Sequence, residues 1–232
     1  MKYMGSKMRI AKHILPIILE HHGASKVYVE PFVGGANLID KITGDRIGSD
    51  LNETVIQALS SIKYHPDQLP RNNQEFTEED YKEARNNLDY PHRSYIGYAL
   101  SYGGKFFGGW RRDKEYRRDY IKEAYKSACK QSPKLQTIAL FVSDYKNLVI
   151  PDNSTIYCDP PYKNTTSYKT STFDHQAFYQ WCRTKHDQGH TIYVSEYTAP
   201  DDFQCVWQKE ISSSLTKDTG SKKAMEKLFT LP

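Results

Sequence analysis

The sequence predicts an α/β fold: a mostly parallel sheet of about seven strands, interrupted by a small and mostly helical insertion. Three observations carry this expectation. Short apolar runs of strand length alternate with stretches of helical periodicity at both ends of the chain. The first strand candidate runs into a glycine turn and the second ends in an acid, the order of a βαβ unit. Between residues 65 and 132 the strand signal stops and helix starts replace it. The chain therefore divides into a catalytic α/β domain, 1–64 with 133–232, and an insertion, 65–132.

The elements follow in order. Residues 6–22 read as an amphipathic helix with Ile10, Ile14, Ile17 and Ile18 on one face, and Pro16 predicts a kink or break in it. Val27-Tyr28-Val29 begins a strand that enters Glu30-Pro31-Phe32-Val33-Gly34-Gly35-Ala36-Asn37, and a helix through Leu38, Ile39 and Ile42 is expected next. Arg46 to Asp50 is a second strand, and Glu53 to Lys63 a helix. In the insertion, Thr77 with Asp80 forms a capping-box start flanked by Phe76 and Tyr81 at staple positions. Helices are expected at 78–88, 93–102 and 115–131. Strands return at Ile138–Ser143, Thr155–Cys158, Thr191–Tyr197, Gln204–Ile211 and Ala224–Leu231. Asp174 caps a helix that stops at Gly189, and Lys163–Thr172 reads as a loop.

Composition excludes several classes. No run of about 18 apolar residues occurs, so no membrane span is expected. The N-terminal stretch lacks the apolar core of a signal peptide, and a cytoplasmic setting is expected. Cys129, Cys158, Cys182 and Cys205 are far apart and form no CxxC pair, so neither a metal site nor a disulfide framework is suggested. The net charge of +4 is concentrated. Between Gly103 and Arg118, six basic residues (Lys105, Arg111, Arg112, Lys114, Arg117, Arg118) face only Asp113 and Glu115, so the rest of the chain is neutral. A local basic segment carrying Phe106, Phe107 and Trp110 fits a phosphate-contacting element. A solvated, charge-rich helix start is the plainer alternative.

Chemistry points to Asp159-Pro160-Pro161-Tyr162. The tetrapeptide follows a strand, at the carboxyl edge where open α/β sheets bind ligands. Its prolines fix φ and remove backbone donors, so the Asp159 carboxylate and the Pro160 carbonyl form a double acceptor beside an aromatic face. A planar amine donating both hydrogens there is pushed towards a pyramidal nitrogen, whose lone pair can attack a methyl sulfonium. The acceptors gain strength as positive charge develops on that nitrogen. A proline-rich turn is the alternative. Gly34 and Gly35 allow close backbone approach to a ligand, or serve only a tight turn. Asp50 can accept from ribose hydroxyls, or cap the next helix.

With these motifs in this order, the chain resembles the Dam-type, or alpha-group, family of DNA adenine N6-methyltransferases, particularly its smaller phage and prophage members. The resemblance rests on Lys2-Tyr3-Met4-Gly5-Ser6-Lys7, Glu30 to Asn37, Ser49-Asp50-Leu51-Asn52, Ser143-Asp144-Tyr145, Asp159 to Tyr162, Ser195-Glu196-Tyr197 and the segment Asp202-Phe203 to Trp207. It implies a Rossmann-like methyltransferase fold with S-adenosyl-L-methionine as cofactor. It implies that Tyr3 and Lys7 meet the methionine end of the cofactor, with Lys7 pairing a carboxylate. Glu30, Phe32, Gly34 and Gly35 would line its pocket, Asp50 would hold the ribose, and Asp144 with Tyr145 the adenine. Asp159 and Pro160 would hold the target amine, with Tyr162 on the base. The partner implied is double-stranded DNA, with the adenine extruded from the duplex and Lys163–Thr172 as a lid. The insertion would be the target-recognition region, with Lys105, Trp110, Arg111, Arg112, Arg117 and Arg118 contacting DNA, and a homodimer on DNA is compatible with this. The competing readings are an RNA adenine methyltransferase, a protein amide N-methyltransferase, and a non-catalytic nucleic-acid-binding protein on the same fold.

Overall fold

The computed structural model describes residues 1–23, 26–113, 115, 117–162, 173–212 and 223–232. Its sheet has seven strands: β1 (Tyr28–Glu30), β2 (Arg46–Asp50), β3 (Ile138–Val142), β4 (Thr155–Cys158), β5 (Thr191–Glu196), β6 (Gln204–Ser212) and β7 (Lys223–Thr230). Their spatial order is β3-β2-β1-β4-β5-β7-β6. The first five strands in that order run parallel, and β7 is antiparallel to both neighbours. The mostly parallel, seven-stranded expectation therefore holds, and β7 is the one reversed strand. The chain order reverses on either side of β1 and β4, so the carboxyl ends of these two neighbours flank the switch point where open sheets bind ligands.

Alternating side chains feed two apolar layers. Tyr28, Tyr157 and Tyr193 face one cluster, while Val29, Ile156 and Ile192 face the other. Helices α1 (Ala11–Glu20), α2 (Glu53–Tyr64), α3 (Glu78–Asn86), α4 (Arg93–Ala99) and α5 (Tyr120–Leu135) contribute to the first layer. Helix α6 (His175–Asp187) covers the second through Phe178, Tyr179 and Cys182. Buried side chains of segment 65–132, among them Tyr81, Tyr95 and Leu100, belong to the same cluster as Tyr28 of β1. No helix among the described residues is long and apolar enough to cross a membrane.

Several boundaries differ from the sequence reading. The first helix is split into a 3-10 turn at Lys7–Arg9 and α1, with the break at Ile10 (ψ −7°), while α1 continues through Pro16. The helix expected after the glycine turn is only a 3-10 turn, Ile39–Lys41. Positive φ at Gly34 and Ala36 delays its start, and Gly44 (φ 87°) must already turn the chain into β2. The helix expected at 115–131 begins at Tyr120, because the Asp119 side chain accepts from the Lys122 amide and caps it there. Residues 117–118 therefore precede the helix. The capping box at Thr77 and Asp80 forms as expected, with Phe76 and Tyr81 buried beside it. The expected loop 163–172 lies outside the described residues.

Candidate active site

Parallel pairing of β1 with β2 and β4 brings Glu30, Asp50 and Asp159 to one sheet edge. After β1, Gly34 turns with φ 47° and donates its amide to Asp50 Oδ2 at 3.1 Å. The Asn52 amide donates to Asp50 Oδ1 at 3.0 Å. Each carboxylate oxygen thus has one backbone donor and keeps a second lone pair. Burial raises the Asp50 pKa, and these two donors only partly offset it. Asn52, not Asp50, caps α2 by accepting from the Thr54 amide.

The N-terminal motif lies on the glycine turn. A Cβ at Gly34 would sit 2.9 Å from the Tyr3 ring, and one at Gly35 would sit 2.6 Å from the Met1 carbonyl oxygen. From the other side, the Met4 amide donates to the Gly104 carbonyl at 3.2 Å, and Lys2 Nζ donates to the Ser101 carbonyl at 3.2 Å. The Tyr3 ring stands 5.4 Å from that of Tyr98. Segment 65–132 therefore clamps the N-terminal motif against the turn, a contact between distant parts of the chain that spacing alone does not reveal. Glu30 is buried and accepts from the Tyr28 hydroxyl at 3.1 Å. Burial pushes its carboxyl well up, against the pull of that hydrogen bond.

Asp159 follows β4 with 22% of its side chain open to solvent. Lys7 Nζ is 3.0 Å from Asp159 Oδ1 and 3.7 Å from Glu226 Oε2. The same ammonium lies 4.4 Å from the centroid of the Tyr162 ring. The Tyr162 hydroxyl donates to Glu226 Oε2 at 2.8 Å, and its ring meets Tyr197 edge-on at 4.7 Å. Burial raises the Asp159 pKa; Lys7 pulls it down and Glu226 pushes it up, and the net shift is upward. Pro160 is buried and Pro161 half-buried. Glu226 is not singled out by the sequence, and Tyr197 enters there only within the motif Ser195-Glu196-Tyr197. The signal for Glu226 was an acid on β7 two residues before Leu228, on the face that the strand period makes inward.

Other expected residues sit differently. Tyr145 is 6% exposed and packs within an aromatic group of Phe32, Phe173, Phe178 and Trp181. Burial, then Asp144, pushes its hydroxyl up to about 12. Asp144 turns back onto the Lys146 amide, which donates to it at 2.8 Å. In the basic segment, Trp110 packs on Phe76 and Tyr81. Arg111 lies over the Tyr120 ring at 3.8 Å, and Arg112 is 3.3 Å from Glu78. Arg118 is bidentate to Glu123 at 2.8 Å, Arg117 pairs with Glu115, and Lys105 is exposed. Acids outside the segment, Glu78 and Glu123, therefore offset part of its charge. Among the described residues, no cluster of metal-ligating side chains occurs.

A glycine turn after β1, an acid with open lone pairs after β2 and a carboxylate–proline–aromatic acceptor after β4, on a sheet with one reversed strand, define a Rossmann-like methyltransferase. The chain belongs to the D12 class of N6 adenine-specific DNA methyltransferases, whose family model matches residues 3–226. It is accordingly an adenine N6-methyltransferase with S-adenosylmethionine as methyl donor. No curated protein matches the chain. Similar solved structures include the rRNA methyltransferase aviRa from Streptomyces viridochromogenes, at 13% identity, covering 99% of this chain and 86% of that one with a TM-score of 0.47. They also include the putative methyltransferase yhhF from Escherichia coli, at 10% identity, 97% and 84% coverage and a TM-score of 0.41. A third is the tRNA (m1A58) methyltransferase TrmI from Aquifex aeolicus, at 9% identity, 99% and 72% coverage and a TM-score of 0.42.

Proposed function

We propose that the protein methylates the exocyclic amino group of an adenine in double-stranded DNA, after the base has left the duplex stack. The observation that carries this reading is the partly open Asp159 carboxylate after β4, on the sheet edge that also holds the Gly34 turn and Asp50. A planar amine offers two hydrogens, and the Asp159 carboxylate and Pro160 carbonyl accept both. Their attraction grows as the nitrogen becomes cationic, which favours the transition state over the ground state. No strong base is required before attack, because the proton leaves from the methylated, cationic amine.

Bound S-adenosylmethionine supplies an electrophilic methyl group. The residues suited to hold it are Asp50 for the ribose hydroxyls, and Glu30, Phe32, Gly34, Gly35 and Tyr3 around the turn. Lone pairs left on both Asp50 oxygens fit a diol, and the turn leaves no space for a side chain at Gly35. Asp144 and Tyr145 are placed by the same reading at the adenine end. Duplex DNA is favoured by the family's description and by the basic segment that carries Lys105, Trp110, Arg111, Arg112, Arg117 and Arg118. Extrusion costs a few kcal/mol of lost stacking, which contacts to the base must offset.

Purified protein with labelled S-adenosylmethionine is offered unmethylated genomic DNA, RNA and protein, and the modified group is mapped. Label on adenine N6 in DNA is expected. Label only in RNA or protein would refute the DNA substrate. Asp159→Ala is expected to abolish transfer while leaving DNA binding intact; normal turnover in that variant would remove Asp159 from the reaction.

A further inference from the structure

One buried carboxylate in this site is not needed to accept an amine. Glu226 on β7 is 6% exposed and holds the Tyr162 hydroxyl at 2.8 Å. It is 3.7 Å from Lys7, whose ammonium touches Asp159 at 3.0 Å and lies 4.4 Å from the Tyr162 ring centroid. Those are the two surfaces that the target adenine requires: the acceptor carboxylate for its amino group and the aromatic face for its ring. The ammonium imitates the cationic amine that forms during transfer, since it presents N–H donors to Asp159 and positive charge to the Tyr162 face.

A base and the Lys7 ammonium cannot both occupy that position. Lys7 is 11% exposed, so leaving Asp159 for apolar surroundings would strand a buried charge. Glu226, whose Oε2 is 3.7 Å from the same ammonium, offers a second carboxylate. Burial pushes Lys7 down, but Asp159 and Glu226 outweigh it and hold the group above the ordinary lysine value, so the ammonium stays charged.

We propose that Lys7 occupies the acceptor-amine position between turnovers, that the target base displaces it, and that Glu226 is the positioning residue that receives the displaced ammonium. This rests on the reading of Asp159 as the amine acceptor. With Lys7 moved onto Glu226, the Asp159 oxygen that the ammonium held at 3.0 Å is released to accept from the target amino group. The Tyr162 hydroxyl remains tied to Glu226, so the ring keeps its place during the exchange. After transfer, the returning ammonium competes for Asp159 and helps to expel the methylated base.

The test is a double-mutant cycle between Glu226→Gln and Lys7→Met. Glutamine still accepts from the Tyr162 hydroxyl but carries no charge to receive Lys7. At saturating S-adenosylmethionine, Glu226→Gln is expected to lower kcat about tenfold with Lys7 present and less than about twofold in Lys7→Met, a coupling of the size found within one charge network. Equal losses in both backgrounds, or no loss with Lys7 present, overturn the proposal. Lys7→Met alone is also read by DNA binding without cofactor, which keeps the proposal testable if Glu226→Gln does not fold. Removing the occupant should tighten binding about threefold despite the lost positive charge, and unchanged or weaker binding overturns it. The acceptor is identified first with the unaltered protein. If it is RNA or a protein amide, the DNA substrate fails, and the same cycle and binding measurement on that acceptor still decide the Lys7 exchange.

Discussion

Replacing Gly35 by alanine tests how the N-terminal motif is held to the glycine turn after β1. Unlike Gly34, Gly35 has no positive φ, so the change isolates sterics from backbone strain. The added Cβ would lie 2.5 Å from Asn37 Nδ2, 2.6 Å from the Met1 carbonyl oxygen and 2.9 Å from Tyr3 Cβ. Ordinary contacts fall at about 3.5–4.0 Å, so the segment of residues 1–3 must retreat by about 1 Å. The methyl also wedges into the hydrogen bond from Asn37 Nδ2 to the Met1 carbonyl, now 2.8 Å. Overpacking of this kind costs about 1–3 kcal/mol, and a disturbed buried hydrogen bond adds roughly 1 kcal/mol. A total of about 3 kcal/mol lowers Tm by about 6–12 °C in a chain of this size. Because Tyr3 moves with the segment, S-adenosylmethionine affinity should fall about tenfold, the equivalent of 1.4 kcal/mol. Circular dichroism melting reads the first effect and calorimetric titration the second. Gly23→Ala is the control, since its Cβ would meet nothing within 4 Å. A Gly35→Ala protein that melts within about 2 °C of the parent and binds cofactor equally well would refute the clamp, because it would place the cost below about 1 kcal/mol.

Two further predictions concern charge. In the proposed reaction Asp159 must be ionised to accept the target amine at full strength, and burial with Glu226 raises its pKa while Lys7 opposes them. Activity is therefore present above that raised value and is lost as pH falls through it. Among the described residues, the titratable groups that act on it are Lys7 from the N-terminal motif, Glu30 of β1, Tyr157 and Cys158 of β4, Tyr162, Tyr197 after β5 and Glu226 of β7. Glu226→Gln removes a like charge, so the acid limb of the kcat–pH profile should move to lower pH; a shift upward would contradict the arrangement. In the basic segment, Arg111→Ala with Arg112→Ala should weaken DNA binding and reduce the slope of log K against log salt by up to about 2, near 0.9 for each lost phosphate contact. An unchanged slope would mean that the stack on Tyr120 and the pair with Glu78 are all these two side chains do.

Local chemistry made the α/β frame and its motifs readable from sequence. Strand runs, the glycine turn, the acid after β2 and Asp159-Pro160-Pro161-Tyr162 each announce themselves within a few residues, because φ restriction, capping and period-2 burial are short-range effects. Arg46–Asp50 and Thr155–Cys158 accordingly form as read, and the Thr77 box closes. Where two local signals competed, the reading slipped. Asp119 outbid the charge-rich residues before it as the start of α5, and the turns at Gly34, Ala36 and Gly44 left space for one 3-10 turn where a helix was expected. Partners distant in sequence were invisible for a different reason. Lys7 meets Asp159 and Glu226 because the N-terminal motif, β4 and the reversed β7 converge on one edge. Glu78 and Glu123 offset arginines because α3 and α5 flank the basic segment. By itself, the sequence determined the α/β class, the strand runs and the order of the motifs along the chain. Only the tertiary structure decided which charges share the site, because ion pairing depends on distance in space and not on separation along the chain.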